Sequence, residues 1–567
     1  MLEPIASHIR GLTPVLLLPF IYFVVRVFQK YGSRGAHYPP GPPTLPIIGN
    51  LLAFPRERPE IKFAEWARQY GDVISLKVLS QTIIVIQTPT LLKELFEKKG
   101  ISNTYRPVSI IIGMLVPSGL NFAFCHETDD AWKAMRKASQ SLLSKESLKH
   151  FEDLQHAEMT QTMVDFLRDP QVSIPAPYFI NCILTCRRRK EWYMHIHRFT
   201  FSLALGIIYG KRCPLFTSPD VRDFLRVNHR FMDMLDLGRA PPVDTFPILK
   251  YVPKRWAKWK RNVEHIHHLQ EGLYERLVDD VRVRVDSDMG NGSFMEVLVR
   301  NAEGMGMRDK RYLSYFGGTL LEGADIASPT LHSIVLLAIA FPDKQQLAAE
   351  EIERVVGTLR VPRLEDLENL PYTRAFVSEC FRFMPVSPLG VPHEMVRDEV
   401  INGILYPKGA IVFQNTWHMF HDERYFERPY DFLPERFLEH PHGVKAGVVD
   451  DPARRDNLLF GGGRRVCPGM NLARTNLDLL PAYMFWAFKF SSPLDPATGK
   501  PKPVDLTRIK DGLAIAPLPF DCDIVPRAKE RADVLQQEFA RAAEFLRPLE
   551  LEITDEDKKY NATYRDV

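Results

Sequence analysis

The sequence predicts a mainly α-helical domain with small β-sheets. From about residue 130 onward, amphipathic helical patterns dominate the chain. Before that point, residues 72–78 and 82–86 are β-branched runs of alternating polarity, a pattern typical of a β-hairpin. A second set of short strands is expected near residues 401–413, where Asn402 and Gly403 form a turn signal.

Length and composition favour one large catalytic domain over residues 38–526. The chain has 567 residues, and no Gly/Ser-rich linker, charge block or internal repeat divides its sequence. The net charge of +3 is a small excess of 73 basic over 70 acidic residues, which gives no basis for nucleic-acid binding. The seven cysteines are scattered and form no C-x-x-C pair, so neither a disulfide framework nor a zinc site is indicated. Reduced thiols fit a domain that faces the cytosol.

The first 37 residues predict a membrane anchor. Residues 12–28 are apolar except for one threonine, one arginine and two prolines, and their length is at the short end for a spanning helix. A cleaved signal peptide is the alternative, although no clear small-residue cleavage site follows. Arg26, Lys30 and Arg34 form a basic flank downstream, which favours a cytosolic catalytic domain behind a single anchor.

The most informative motif surrounds Cys467. Phe460, Gly463, Arg465, Cys467 and Gly469 give the spacing F-x-x-G-x-R-x-C-x-G. The glycines allow the backbone to fold tightly against a flat ligand, and the arginine offers a planar fork for a carboxylate. The helix-favouring stretch that follows places the cysteine just ahead of a helix N-terminus, which favours a thiolate. A lone thiolate held in this way is suited to be the axial ligand of a haem that activates dioxygen. A buried structural cysteine in a glycine loop is the alternative.

The motif resembles that of cytochrome P450 enzymes, and further motifs extend the resemblance from about residue 38 to residue 526. The resemblance implies the cytochrome P450 fold, with haem b held between a long distal helix and a proximal cysteine loop. Cys467 is then the iron ligand, and Phe460, Arg465, Gly463 and Gly469 belong to the cofactor-binding loop. In type, the chain resembles microsomal fungal members that act in secondary metabolism or on xenobiotics.

A predicted structural cluster supports the cysteine loop. Glu379 and Arg382 form an E-x-x-R pair on one face of a predicted helix. Alone, such a pair is usually a solvated surface bridge. By resemblance, Arg436 in Pro434–Phe437 completes a Glu-Arg-Arg cluster that locks the thiolate loop against the core. These three residues are therefore expected to be structural determinants of haem binding.

Three further residues are candidates for binding the haem propionates. Trp132 and Arg136 are four residues apart, so they share one helical face and can reach the same propionate. A solvated amphipathic face is the alternative for this pair. His393 occupies the place of another propionate donor in the family, although a lone histidine is more often a surface or core residue.

The expected oxygen-activating helix departs from the family pattern. Residues 314–340 form a long apolar stretch in which Asp325 keeps the family's acidic position, but Ile326 stands where the family has threonine. An isoleucine side chain cannot donate a hydrogen bond. Pro329 is expected to kink the helix, and Thr330 lies one turn beyond Ile326 on the same face. Asp325 and Thr330 are therefore the catalytic candidates, with an ordered water or a substrate hydroxyl as alternatives to Thr330.

The resemblance implies a monooxygenase that inserts one atom of O2 into an apolar small molecule. Electrons would come from NADPH through a separate cytochrome P450 reductase, with cytochrome b5 as a further electron donor, at the endoplasmic reticulum membrane. Two alternatives remain. One is a haem-thiolate isomerase, dehydratase or peroxygenase, which is considered because Ile326 replaces the family's threonine. The other is a degenerate haem-binding protein. Basic residues near the cysteine side could form the docking face for an acidic reductase: Lys133, Lys137, Arg454, Arg455 and Arg464. The pocket lining expected by resemblance comes from four segments: residues 102–124, 317–326, 386–391 and 512–516.

Two segments do not fit the family pattern. Residues 172–190 are largely apolar and non-periodic, and they interrupt a stretch that otherwise resembles a family helix beginning at residue 191. A retained intron and a genuine surface loop are both open interpretations, and sequencing of the transcript separates them.

Residues 527–567 extend past the usual family terminus, as a helical stretch over 528–545 followed by a charged end. No function is assigned to this tail.

Overall fold

The structure is a computed structural model, and it describes residues 22, 26, 32–116, 120–126, 128–168, 191–236, 239–307, 309–448 and 458–565. The α-helices are α1 Pro59–Tyr70, α2 Pro89–Lys93, α3 Ile110–Leu115, α4 Asp130–Leu142, α5 Lys145–Lys149, α6 Glu152–Leu167, α7 Glu191–Tyr209, α8 Pro219–Leu235, α9 Lys258–Asp286, α10 Phe294–Arg300, α11 Lys310–Asp325, α12 Ala327–Ala340, α13 Pro342–Val356, α14 Pro371–Phe383, α15 Thr416–His421, α16 Arg436–Glu439, α17 Met470–Ala487, α18 Lys529–Leu546 and α19 Asp555–Arg565. The strands are β1 Val73–Val78, β2 Gln81–Ile86, β3 His393–Glu394, β4 Glu399–Ile401, β5 Ile404–Tyr406, β6 Ile411–Gln414, β7 Phe488–Ser491, β8 Ile509–Lys510, β9 Ala516–Pro517 and β10 Asp523–Pro526.

The predicted mainly α-helical class with small sheets is confirmed. Strands β1 and β2 form the expected antiparallel hairpin, and β6 joins β2 in parallel with β3 at the far edge. Strands β4 and β5 pair through the predicted turn, where Asn402 and Gly403 both adopt positive φ angles of 53° and 78°. A two-residue turn with this geometry matches the twist of the strands that it joins.

The core is built around α11 and α12, which we call the split helix. Pro329 has no N–H group, so the carbonyl of Asp325 loses its helical donor, and the break falls at Ile326. The Ser328 hydroxyl donates to that carbonyl at 2.8 Å and replaces the lost bond. The predicted kink is therefore found on the N-terminal side of the proline. Residues Lys310–Ala340 are long and apolar enough to cross a membrane, but 67% of the most apolar stretch is buried, as in a core helix.

The C-terminal tail belongs to the same core. The predicted helix over 528–545 is found as α18, and α19 follows within the segment expected to be a charged end. On α18, Leu535, Phe539, Ala543 and Leu546 are fully buried and join the hydrophobic cluster that contains the split helix. The tail is therefore built into the domain and does not form an appendage to it.

The predicted anchor and the 172–190 segment lie outside the described residues, apart from Tyr22 and Arg26 of the anchor. The helices on either side of the second segment, α6 and α7, are antiparallel. Glu158 of α6 pairs with Arg198 of α7 at 2.6 Å. Nearer to the C-terminal end of α6 and the N-terminal end of α7, Asp165 lies 3.6 Å from His195. The C-terminal end of α6 is therefore beside the N-terminal end of α7.

Adjacent helix ends mean that a short connection suffices, so we expect a chain that lacks residues 172–190 to fold and to bind its cofactor. Residues 168–171 would remain between the two helices, which is within the usual range for helix–helix connections. Shortening the loop should raise the free energy of unfolding by about 1–2 kcal/mol, because loop closure costs less entropy. Denaturant unfolding of the two purified chains measures the change. Failure of the shortened chain to fold would show that the segment contributes structure of its own.

Candidate active site

The loop that carries Cys467 is held by its own backbone. The Cys467 N–H donates to the Phe460 carbonyl at 3.0 Å, and short 3₁₀ turns lie at Leu458–Phe460 and Gly463–Arg465. Helix α17 begins at Met470, so the cysteine lies just before a helix N-terminus, as predicted. The side chains from 459 to 475 are almost all partly exposed, whereas the rest of α17 is buried. The loop therefore faces a space inside the fold.

Gly463 is the glycine of this loop with the closest backbone neighbour. Its φ angle is 62°, and an added Cβ would lie 1.9 Å from the Phe96 carbonyl oxygen. At Gly469 an added Cβ would only touch the Cys467 Sγ at 3.9 Å, which is ordinary contact. The backbone geometry therefore requires a glycine at 463, whereas Gly469 leaves space next to the Cys467 sulfur.

The electrostatics at Cys467 differ from the prediction made from the helix dipole. Burial raises the pKa of the Cys467 thiol, while the Gly469 N–H and the nearby Arg136 guanidinium lower it by less. The protein alone therefore favours a thiol. A coordinated metal ion deprotonates a thiol outright, so the thiolate expected here depends on the iron itself.

The predicted Glu-Arg-Arg cluster forms in the structure. Arg382 makes two parallel hydrogen bonds to Glu379, at 2.7 and 2.8 Å, and Arg436 lies 3.2 Å from the same carboxylate. The remaining donors of the two guanidinium groups bind backbone carbonyls at 420, 427–429 and 431. Glu379 is fully buried, so the cluster fixes the segment from 420 to 436 against α14 and acts as structure.

A second pair of arginines, Arg465 of the cysteine loop and Arg106, binds backbone carbonyls from several segments. Arg465 donates to the carbonyls of Thr104 and Cys125, at 2.9 and 2.7 Å, and its guanidinium lies 4.7 Å above the ring of Trp132. Arg106 donates to three backbone carbonyls, at 123, 391 and 392. Burial and the neighbouring Arg465 hold the pKa of Arg106 well below its usual value.

This pair of arginines fits an anionic ligand. Within the part of the chain that the structure describes, Arg106 forms no salt bridge, although it is buried. The charges of buried Arg106 and partly exposed Arg465 repel one another, and a negative group placed between them would relieve that cost. The hydroxyl of Thr104 is buried beside them without a hydrogen-bond partner among the described residues. Arg106 and Thr104 were not identified from the sequence, because their partners are distant along the chain and no local pattern marks them.

His393 lies near Arg106 and Arg465, but its ring has little capacity to donate a further hydrogen bond. Its Nδ1 atom is 2.7 Å from the Asn103 carbonyl, so the proton is on that nitrogen, and its ring stacks on Phe96 at 4.2 Å. Burial and the charges of Arg106 and Arg465 lower the pKa of His393 well below its usual value. Neutral His393 has an acceptor at Nε2. To donate a hydrogen bond to a propionate, as predicted, His393 must be protonated at Nε2 as well. A nearby propionate would favour this protonation, because it is negatively charged.

Trp132 and Arg136 lie on α4 next to the cysteine loop. The Arg136 guanidinium donates to the Val466 carbonyl at 2.8 Å, one residue before the cysteine. Trp132 is buried between Arg465 and Phe122. The predicted propionate-binding role of the pair is compatible with this placement and stays a prediction.

The split helix presents an open face at Gly323. This residue is exposed although it lies on a central helix, and an added Cβ would meet no atom of the described residues within 4 Å. Leu320, Ala324 and Ala327 are partly exposed on the same part of the helix. The face therefore borders a space that a flat ligand and a substrate could occupy.

Gly317 and Gly318 serve a different purpose from Gly323, although the sequence suggests one glycine-rich helix. An added Cβ at Gly317 would meet the Tyr209 hydroxyl at 2.3 Å, and one at Gly318 would meet the Tyr274 ring at 2.3 Å. These glycines allow the helix to pack against tyrosines. Within the expected pocket segment 317–326, Gly317 and Gly318 therefore serve helix packing and do not border the open face.

The two catalytic candidates are buried and hydrogen-bonded. Asp325 accepts from Asn228 at 3.0 Å and lies 3.2 Å from the His197 ring nitrogen. Burial raises the pKa of Asp325, but the hydrogen bond and charge of His197, together with His229 and Ser328, outweigh burial and hold this pKa below its usual value. The Thr330 hydroxyl donates to the Ile326 carbonyl at 3.4 Å, one turn back along the split helix. The catalytic roles of both residues stay predictions.

The four segments expected to line the pocket meet in the structure, although they are distant in sequence. Asn121 donates to Glu322 at 3.0 Å, and Arg106 binds the Val391 carbonyl at 2.8 Å. The Ile515 N–H donates to the Val386 carbonyl at 2.7 Å. Burial raises the pKa of Glu322 to about 7, so the polar contact at the pocket rim involves a carboxyl group that is easily protonated.

The described residues fit a haem. Cys467 offers the sulfur ligand, Gly323 leaves room for a flat macrocycle, and Arg106 and Arg465 would supply charges for its propionates. A bound haem iron would supply the activation of dioxygen. The loop holds the Cys467 sulfur, Arg106 and Arg465 would bind the carboxylates of the cofactor, and Gly323 would leave an apolar space beside it.

The comparisons with known proteins agree with this geometry. The cytochrome P450 family model matches residues 39–520. A cytochrome P450 monooxygenase of Armillaria gallica is 35% identical over 537 residues, which cover 94% of this chain and 97% of the relative. The monooxygenase ple5B of Rhodocybe pseudopiperita is 33% identical, covering 95% of this chain and 100% of its own. The monooxygenase acuD of Aspergillus aculeatus is 32% identical, covering 92% and 95%.

The family match extends over most of the chain, and these relatives align along almost their whole lengths. The resemblance expected from the cysteine loop is therefore confirmed, together with the fold that it implies. The chain belongs to the cytochrome P450 family and is a cytochrome P450 monooxygenase with a haem-iron cofactor.

Proposed function

We propose that this enzyme inserts one atom of O2 into an apolar small molecule and reduces the other atom to water, with haem b as the cofactor. The observation that carries the proposal is the arrangement around the cysteine loop. Cys467 is partly exposed on the loop, and Arg465, two residues before it, donates to the Thr104 and Cys125 carbonyls, next to the buried and charged Arg106. A dianionic, flat, sulfur-ligated cofactor suits this combination of ligand and charge.

The substrate class follows from the residues around the open face of the split helix. Gly323, Ala324, Ile326 and Ala327 offer no side-chain hydrogen-bonding group to a substrate. Phe124, in another of the segments expected to line the pocket, is partly buried against the main core. A pocket of this kind binds by apolar burial and selects by shape, which supports a hydrophobic or aromatic substrate.

Electrons would arrive from NADPH through a separate reductase, with cytochrome b5 as a second donor. Lys133, Lys137 and Arg464 are exposed near the cysteine loop, and they form a basic surface that suits an acidic partner. Lys133 pairs with Asp130 at 2.9 Å, an exposed contact that a partner can replace at little cost. Arg454 and Arg455, which were predicted to extend this surface, lie outside the described residues.

A membrane location is supported by the connection between α8 and α9 as well as by the predicted anchor. Ile248, Tyr251 and Trp256 are 75%, 82% and 70% exposed in this connection, next to lysines at 250, 254 and 258. Aromatic and aliphatic side chains with adjacent lysines suit the interface of a membrane with anionic lipids. We propose that the catalytic domain rests on the cytosolic face of the endoplasmic reticulum membrane.

A second candidate function is favoured by one observation. Ile326, at the break of the split helix, offers no side-chain donor where the family has threonine. This change favours a haem-thiolate isomerase, dehydratase or peroxygenase, which would not depend on the same delivery of protons. Turnover supported by hydrogen peroxide but absent with NADPH, reductase and O2 would identify this candidate.

The carbon monoxide difference spectrum of the reduced protein tests the proposal. We expect a thiolate-ligated Soret band in the wild type and its loss in Cys467→Ser, because a serine oxygen does not replace the soft thiolate ligand. Cys380→Ser is the matched control, since this cysteine is buried elsewhere in the core and should leave the band unchanged. A wild-type protein without the band would be the degenerate haem-binding form, and a band without NADPH-driven turnover would favour the second candidate.

A further inference from the structure

One turn of α9 brings three side chains of metal-binding type together, and none of them belongs to the site described above. His267 and His268 precede Glu271, so the carboxylate is four residues from the first histidine and three from the second. Residues three and four apart lie on one face of a helix. One nitrogen from each ring and one carboxylate oxygen lie within 4.8 Å of one another, a grouping that a single metal ion can bridge.

The orientation of the His267 ring is fixed by its neighbours. Its Nδ1 atom is 2.8 Å from the carbonyl oxygen of Leu115, at the end of α3. A carbonyl oxygen only accepts, so Nδ1 carries a proton and donates it. The Tyr315 hydroxyl of α11 is farther from the same nitrogen, at 3.5 Å. In the neutral imidazole the Nε2 atom then presents a lone pair, as in metal-bound histidines whose other ring nitrogen donates to a backbone carbonyl.

That lone pair lies close to a carboxylate. The Nε2 atom of His267 is 3.7 Å from Glu271 Oε2, and two acceptor atoms so placed repel one another unless a cation lies between them. The cation is either a proton, which gives an ordinary ion pair, or a metal ion. In a tetrahedral zinc site with bond lengths of about 2.1 Å, the ligand atoms are about 3.4 Å apart. The observed separation is therefore close to the one that zinc requires.

The surrounding charges leave the carboxylate available to a metal ion. Among the described residues, no lysine or arginine nitrogen lies within 4 Å of the Glu271 oxygens. Arg311 adds a positive charge nearby, but its guanidinium donates to Asp309 at 3.1 Å. Glu264, one turn before the two histidines, adds a negative charge that acts on both, and it pairs with Lys254 at 2.7 Å. Two imidazoles and one carboxylate therefore suit a divalent ion that keeps water in its remaining position.

We propose that His267, His268 and Glu271 bind a divalent transition-metal ion of the zinc type, since two imidazoles and a carboxylate are a known zinc ligand set. His268 is exposed, so its ring turns toward the ion at little cost. The ion fixes the His267 ring, and that ring holds the Leu115 carbonyl within the segment expected to line the pocket. Metal binding therefore braces α3 against α9, and this role does not depend on the proposed reaction.

Zinc titration of the haem-loaded full chain, purified without a histidine tag and treated with chelator, tests the site. Isothermal calorimetry counts the bound ions, so any other zinc site of the chain appears equally in wild type and variants. We expect one equivalent whose affinity falls at least about tenfold in His268→Gln and in Glu271→Gln, since even the loss of a group that only orients a ligand costs this much. His265→Gln is the matched control, because this exposed histidine is on the same helix but outside the group.

Hydrogen exchange measured by mass spectrometry tests the bracing of α3. With zinc at about ten times its dissociation constant, we expect exchange over residues 110–116 to slow by up to about tenfold in the wild type. Glu271→Gln leaves the contact between His267 and Leu115 in place, so zinc should not change the exchange of this variant. The carbon monoxide spectrum of each variant shows that the fold and the haem site are intact.

Three results would overturn the inference. Equal zinc binding by the wild type and Glu271→Gln, or none by either, would mean that the cation between His267 and Glu271 is a proton only. A loss of affinity in His265→Gln as large as that in His268→Gln would mean that zinc binds surface histidines without a defined site. Exchange over residues 110–116 that zinc leaves unchanged in the wild type, or slows equally in Glu271→Gln, would remove the bracing of α3.

Discussion

Replacing Glu379 by glutamine is expected to lower the free energy of unfolding by about 3–5 kcal/mol, because it leaves two buried arginines without their counter-charge. The Glu379 carboxylate binds Arg382 through two hydrogen bonds and lies 3.2 Å from Arg436, and it also accepts from the Leu433 N–H at 2.8 Å. Glutamine keeps the shape but removes the charge. Denaturant unfolding measures the loss, and the haem content of the purified protein shows whether the cysteine loop is still in place.

Two control variants make this prediction specific. Glu146→Gln removes a carboxylate from an exposed pair with Lys149 at 2.8 Å, and we expect no measurable change there, because solvent screens such pairs. Arg382→Lys keeps the charge but loses the two-pronged geometry and the carbonyl contacts at 420 and 429. Equal stability of the Glu379→Gln protein and the wild type would mean that the cluster does not hold the fold together.

The parts of the site that sequence reasoning predicts are the local ones. Glu379 and Arg382 are one helical turn apart, so their pairing follows from spacing, and the glycine pattern around Cys467 is contiguous. Arg106 was missed because its partners, the carbonyls at 391 and 392, are distant along the chain. No local pattern distinguishes an arginine that binds distant carbonyls from one on the surface, so this contact requires the fold.

The split helix shows a similar limit. Pro329 predicts a kink, but the carbonyl that loses its donor belongs to Asp325, four residues earlier, and there the chain breaks. The sequence also treats Gly317 and Gly323 alike, although one packs against Tyr209 and the other faces open space. Which glycine borders the pocket depends on which neighbours surround the helix, and this is a property of tertiary packing.

Removal of residues 527–567 is expected to abolish the soluble, cofactor-loaded protein. The family match ends at residue 520, before this tail, and the sequence predicts only a helical stretch over 528–545 followed by a charged end. In the structure, the buried residues of α18 belong to the main core, and the burial of each large apolar side chain stabilises the fold by about 1.5–3 kcal/mol. Truncation exposes the surface of α6 that these side chains cover.

The tail is also tied to the core by buried charge. Arg212 binds Glu158 of α6 at 3.0 Å and Glu550 of the tail at 2.6 Å, and Glu550 in turn binds Arg565 at 2.7 Å. The carboxyl of Glu158 is shared with Arg198, whose charge helps Arg212 to hold the pKa of Glu158 below its usual value despite burial. Truncation would therefore remove one carboxylate from a buried network and leave Arg212 with a single counter-charge, which is costly in the interior.

A point substitution tests the role of the tail without removing it. Phe539→Ala should lower the free energy of unfolding by about 3–5 kcal/mol, because Phe539 is fully buried and its removal leaves a cavity. Phe545 is on the same helix but 45% exposed, so Phe545→Ala should change stability much less and serves as the matched control. Denaturant unfolding compares the two variants. Equal effects would mean that α18 rests on the surface of the domain, whereas a large difference would show that the catalytic domain extends to the end of α18.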